Sequence, residues 1–128
     1  MNRHLRIWLA AFGFVAFTLL LLGTVVLLWQ HGWLHVRVSF AEEQTEIFEA
    51  MRTKALEAND AKTAAECLNY VVNYYPSGSK QEAGTKMDSI VERARTAAVR
   101  EIIADLRGKT GENLGEDPDA WIGKYARR

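Results

Sequence analysis

The pattern of apolar and polar positions divides the chain sharply near residue 30. From Ile7 to Trp29 (IWLAAFGFVAFTLLLLGTVVLLW) no charged side chain appears. At about 1.5 Å rise per residue this stretch predicts a helix of roughly 35 Å. That length crosses a hydrocarbon core of about 30 Å with some tilt. A helix is also the form in which a single segment satisfies its own backbone in lipid. Beyond it, apolar residues recur with a helical period. Ile47, Phe48, Met51, Ala55 and Leu56 share one face. Ala61, Ala64, Ala65, Leu68, Val71, Val72 and Tyr75 make a second stripe, and Met87, Ile90, Val91, Ala94, Ala98, Ile102, Ile103 and Leu106 a third.

The punctuation between these stripes sets the expected boundaries. Ser39-Phe40-Ala41-Glu42 and Ser79-Lys80-Gln81-Glu82 have the form of capping boxes, and Asn59-Asp60 can cap the helix between them. Pro76 and Gly78 stop the second helix, and Gly108 and Gly111 stop the third. Asp117-Pro118 suits an N-cap followed by a first helical position. The prediction is all-α: a transmembrane helix, then a small bundle of about three helices plus a short C-terminal helix. Its parts are an n-region (1–6), a membrane anchor (7–29), an interfacial linker (30–38) and a helical domain (39–128). Helices are expected near 40–58, 60–75, 80–107 and 118–126. The apolar positions keep a 3.6-residue period rather than a strict heptad, which favours a bundle over an extended coiled coil.

The flanks of the anchor define its ends. Trp8 stands at one end and Trp29 with Trp33 at the other, where indoles sit well at headgroup level. The apolar run is too long for a cleaved signal peptide and no A-x-A-like site comes after it, so a retained signal anchor is expected. Arg3 and Arg6 precede it, and only Arg37 stands on the far side before Glu42 and Glu43. This bias places the N-terminus in the cytoplasm and the C-terminal domain outside, at the inner membrane. No Asp, Glu, Lys or Arg interrupts the span, as a transport path would require, and Gly13 and Gly23 lack small-xxx-small spacing.

Charge narrows the partners. Sixteen basic and sixteen acidic side chains balance over the chain, and all but Arg3 and Arg6 lie in residues 37–128, leaving about −2 there. No nucleic acid is expected on such a surface. The triplet Gly108-Lys109-Thr110 lacks the upstream Gly of a P-loop, with Ile103 in that position, so no nucleotide is expected either. The single Cys67 excludes an internal disulfide, and its place beside the second stripe is that of a small packing residue. Arg93, Arg100 and Arg107 repeat every seven residues as a solvated edge of the third helix. No carboxylate pair stands on an apolar background, so no catalytic residue and no cofactor are assigned. His31 and His35, at i and i+4, are the one candidate metal pair.

Two stretches resemble known patterns. Ala64 to Gly84 (AAECLNYVVNYYPSGSKQEAG), with Tyr75, Pro76 and Ser77 or Ser79, is similar to one helix-turn-helix of tetratricopeptide-type repeats of bacterial envelope proteins. No 34-residue self-similarity accompanies it. The tail from Leu106 to Trp121 resembles a Thr-Gly-x-x-Leu-Gly-x-x-Pro-x-x-Trp signature of planctomycete-type bacterial proteins. That resemblance implies a helical envelope or interaction protein and transfers no catalytic residue.

The expected function is therefore a membrane-anchored module that binds a protein partner or a second copy of itself. Its candidate aromatic anchors are Tyr70, Tyr74 and Tyr75, or Trp121, Ile122 and Tyr125. The tail residues have two readings, a lid folded onto the bundle or an exposed docking motif. The alternative functions are a metal- or haem-associated redox subunit using His31 and His35, and a self-associating structural membrane protein.

Overall fold

A computed structural model describes residues 2–127. The chain is all-α, with no strand among the described residues: α1 (Arg3–Glu57), α2 (Ala61–Asn73), α3 (Lys86–Thr110) and α4 (Pro118–Trp121), which runs on as a π-helical turn (Ile122–Ala126). Two compact units divide the chain, one up to Val36 and one from Arg37 onward.

In the first unit α1 is long and apolar enough to cross a membrane. Its large apolar side chains, from Leu5 to Val36, all face outward. A helix with that surface is stable where the surroundings are themselves apolar. Thr18 and Thr24 turn their hydroxyls back onto the carbonyls of Phe14 and Leu20, each at 2.8 Å, so that both hydroxyls are paired within the helix.

The structure corrects two of the expected boundaries. No break separates residues 30–38 from the rest of α1, and Ser39 and Glu42 lie inside that helix. A capping box is needed only where N–H groups lack a preceding turn. Here the chain arrives already helical. It contains no proline, and Gly32 alone costs about 1 kcal/mol, too little to stop a long helix. Likewise Ser79-Lys80-Gln81-Glu82 does not start α3. The cap is Thr85, whose hydroxyl accepts from the Asp88 N–H at 3.2 Å. Residues 74–84 form turns instead, because their side chains find tertiary partners. Gln81 is buried and donates to the Arg37 carbonyl at 3.0 Å, and Ser77 donates to Asp88 at 2.7 Å.

Two boundary signals act as the sequence suggests. Asp60 caps α2 by accepting the Thr63 N–H at 2.7 Å. Asp117 caps α4 by accepting the Asp119 N–H at 3.1 Å, with Pro118 at the first turn. The third helix passes through Gly108 and ends only at Gly111, whose φ of 69° is the left-handed conformation that a Cβ would oppose.

The core of the second unit gathers Phe48 and Ala55 of α1, Ala64, Leu68 and Val71 of α2, Val91, Ile102, Ile103 and Leu106 of α3, and Trp121. The small residues Ala64 and Ala65 are fully buried, which lets α2 approach its neighbours closely. Leu56 and Ile90, expected on the apolar faces, are exposed instead. The buried side chains of this unit include the polar residues Gln44, Asp88 and Arg95.

Asp88 ties the 74–84 loop to α3. Its carboxyl is held below the usual aspartate value chiefly by the Ser77 hydroxyl, then by the Gly84 N–H at 3.1 Å. A carboxyl whose pKa is depressed on folding adds stability above its unfolded value of about 3.9, and that stability fades as pH falls through the lower folded value. Asp88→Asn is therefore expected to lower the urea midpoint of the second unit at pH 7. The gap from the parent should close as the pH is taken below about 4. A gap of the same size at pH 7 and pH 3 would contradict the ionised-acceptor role.

Candidate functional site

The residues singled out in the sequence fall into four places. Trp8, Trp29 and Trp33 lie on the exposed surface of the apolar segment. Trp29 and Trp33 meet edge to face with ring centres 6.1 Å apart. Next to them, His31 and His35 turn toward each other across one turn of α1, their Nε2 atoms 2.9 Å apart.

Of the two readings of the tail, the structure has the lid folded onto the bundle. Trp121 and Ile122 are buried, at 0% and 3% exposure, and cannot serve as exposed docking anchors. The indole N–H of Trp121 donates to the Gly115 carbonyl at 3.0 Å, and its ring stacks on Tyr125, 6.3 Å away at 20°. Arg107 binds the same Gly115 carbonyl at 3.0 Å and also Glu116 at 2.7 Å. The Thr-Gly-x-x-Leu-Gly-x-x-Pro-x-x-Trp pattern is thus a folding device. Gly111 ends α3, Gly115 at φ 86° presents its carbonyl, Pro118 starts the next turn, and Trp121 fills the core beside α2. Tyr125 is half-buried and donates to Glu112 at 2.8 Å.

The fourth place is an aromatic surface around a lysine. At the end of α2 the rings of Tyr70 and Tyr74 stack 5.3 Å apart, and Tyr75 meets Tyr74 edge to face at 4.7 Å. Lys80 returns from the adjoining loop and sets its Nζ 4.1 Å from the Tyr75 ring centre, 5.5 Å from Tyr74 and 5.3 Å from Phe40 of α1. Its charge is matched by Glu43 at 3.0 Å, to which the Tyr74 hydroxyl also donates at 3.3 Å. That lysine hydrogen bond holds the Glu43 carboxyl below the usual glutamate value, while burial pushes the Tyr74 hydroxyl up. Phe40, Tyr70 and Tyr75 remain 38%, 45% and 46% exposed around this centre. The rings offer flat apolar faces fixed by cation–π and ion-pair contacts, which suits recognition of another surface.

Beneath this surface lies Arg95, buried on α3. Its guanidinium donates to the carbonyls of Val71 at 2.5 Å, Val72 at 3.3 Å and Tyr75 at 2.6 Å, pairs with Glu92 at 3.2 Å and stacks on Phe48 at 4.7 Å. The Val71 and Val72 carbonyls belong to the last turn of α2 and the Tyr75 carbonyl follows it, so a side chain of another helix completes α2 and sets the position of Tyr75. Tyr75 has a φ of 41°, unusual for a residue with a Cβ, and Arg95 together with Gln44 at 3.4 Å holds its carbonyl there.

Glu43, Lys80, Gln44 and Arg95 were not among the sequence candidates. Arg95 had a visible signal, since Val91, Arg95, Ala98 and Ile102 share one helical face. Lys80 had none, because its partners come from α1 and from the residues just beyond α2. Cys67 is buried, and burial raises its thiol pKa, the opposite of an activated nucleophile. Of the arginine stripe, Arg107 is committed to the tail, while Arg93 donates to the Ser89 carbonyl of its own helix at 3.3 Å. Compared with protein-family models, curated proteins and solved structures, the chain matches none.

Proposed function

We propose that the protein is a single-pass, signal-anchored docking module of the bacterial envelope. Its N-terminus lies in the cytoplasm, and its helical unit stands outside and binds a protein partner through Phe40, Tyr70 and Tyr75. The observation that carries this reading is the exposed aromatic face locked around Lys80 and Glu43. Aromatic anchors that are already rigid lose little freedom on association, and truncating one costs about 2 kcal/mol, or roughly thirtyfold in affinity. The outward-facing apolar surface of α1 up to Val36 supports anchoring in a bilayer. The likeness of the tail to the planctomycete-type signature points to the same setting. No chemical step is assigned to the module.

The test is photo-crosslinking in native membranes with benzoylphenylalanine in place of Tyr70, and with the exposed position Thr96 on α3 as control. A discrete adduct with a different protein from position 70, absent from position 96 and weakened by Tyr75→Ala, is the expected result. An adduct of twice the chain's own mass would replace the heterologous partner by a second copy. Equal adducts from both positions, or none, would overturn the docking face.

A further inference from the structure

His31 and His35 do more than share a helix face. Their Nε2 atoms converge to 2.9 Å, with ring centres 4.4 Å apart and planes at 87°. A hydrogen bond from one Nε2–H to the other Nε2 accounts for this separation in the metal-free pair, and it brings both Nε2 atoms within reach of a single ion. Both side chains are exposed, and no Asp, Glu, Lys or Arg lies between Arg6 and Arg37 to divert either ring.

The separation carries geometric information. With metal–nitrogen bonds of about 2.0–2.1 Å, two nitrogens at a right angle lie about 2.9 Å apart, and at a tetrahedral angle about 3.3 Å. The observed distance, which is also that of a hydrogen bond between the rings, lies close to the first of these values, so little movement is needed to seat an ion between them. Imidazole donors in such an arrangement select Cu²⁺ or Ni²⁺, with Cu²⁺ the stronger of the two.

We propose that His31 and His35 form a bidentate site for a divalent transition-metal ion, Cu²⁺ in preference to Ni²⁺, on α1 next to Trp29 and Trp33. Among the described residues no third His, Cys, Asp or Glu joins the pair. The remaining coordination positions go to water or to small ligands, and the ion is exchangeable. On binding, both Nε2 lone pairs go to the metal, and the proton they shared moves to the Nδ1 of its ring, so a neutral pair releases none. Affinity for the ion falls as the pH is lowered, because an imidazole ligand binds only in its deprotonated form.

The test uses the full chain, untagged, in micelles or nanodiscs. His4→Ala serves as the parent, so that of the three histidines only this pair remains. Cu²⁺ alone is titrated, and pulsed EPR counts the equatorial imidazoles by their remote-nitrogen modulation. Two imidazoles are expected in the parent. One is expected after His31→Ala or His35→Ala, with binding at least tenfold weaker. Binding by the parent should also weaken at least tenfold from pH 7.5 to 5.5. A one-imidazole spectrum in the parent, or equal affinity in parent and His31→Ala at unchanged helicity, would overturn the site. Crosslinking at Tyr70 reads the docking face independently of either result.

Discussion

Arg95→Ala is expected to destabilise the helical unit by about 3 kcal/mol, because it leaves buried carbonyls without donors. The parent guanidinium serves Val71, Val72 and Tyr75 at the end of α2 while lying against Phe48, so one truncation removes an end-cap, a cation–π contact and core volume together. For a unit of this size the loss amounts to roughly 15 °C in Tm. Arg95→Lys should fall between, since an ammonium is a single point of charge and cannot span carbonyls set apart as a planar fork can. The single buried Cys67 supplies the readout. Its labelling in a urea series tracks opening of α2 without interference from the apolar segment of α1. A shift equivalent to less than about 1 kcal/mol, the size of one ordinary hydrogen bond, would show that water replaces the guanidinium and that the cap is dispensable.

Trp121→Ala is expected to cost about as much, in the range of 3–5 kcal/mol found for large aromatic side chains removed from a core. The ring is fully buried and its N–H holds the Gly115 carbonyl, so its loss empties a large volume and frees the turn between α3 and α4. Trp121→Phe keeps most of the ring and loses the hydrogen bond, and should recover more than half of the difference. Because α2 packs on both α4 and the π-helical turn, opening the tail also uncovers α2. Cys67 labelling at low urea and tryptic cleavage at Lys109 should therefore accelerate together. A Trp121→Ala protein with parental stability and impaired partner binding would restore the exposed-motif reading of the tail.

Much of this architecture was legible because it rests on local chemistry. Asp60, Asp117-Pro118 and Gly111 mark boundaries through contacts within a few residues, and each acts where it stands. Ser39 and Ser79 carry the same local signal, yet neither starts a helix. Whether a capping box is used depends on whether the preceding backbone is already helical, as at Ser39, or is drawn into tertiary contacts, as around Gln81. The candidate surface was half legible. The tyrosines stood out by type, but what fixes them is Lys80 arriving from a loop and Arg95 from another helix, at sequence separations no periodicity reports. The burial of Trp121 was one of two readings the sequence left open, and the Gly115 carbonyl beneath its indole decides it.

The central claim is that α1 up to Val36 is held in a bilayer with the helical unit beyond it. Cys67 cannot report this directly, being buried, so accessibility is best read from single cysteines placed in a Cys67→Ala chain. At Ser79, exposed in the second unit, a new cysteine should react with a membrane-impermeant maleimide on intact cells. At Phe17, in the middle of the apolar segment, a new cysteine should stay unreactive even after permeabilisation, because the thiolate forms only in water. Labelling of Ser79→Cys only after permeabilisation would reverse the orientation. Labelling of Phe17→Cys as readily as Ser79→Cys, with the protein in the soluble fraction, would contradict the anchor itself.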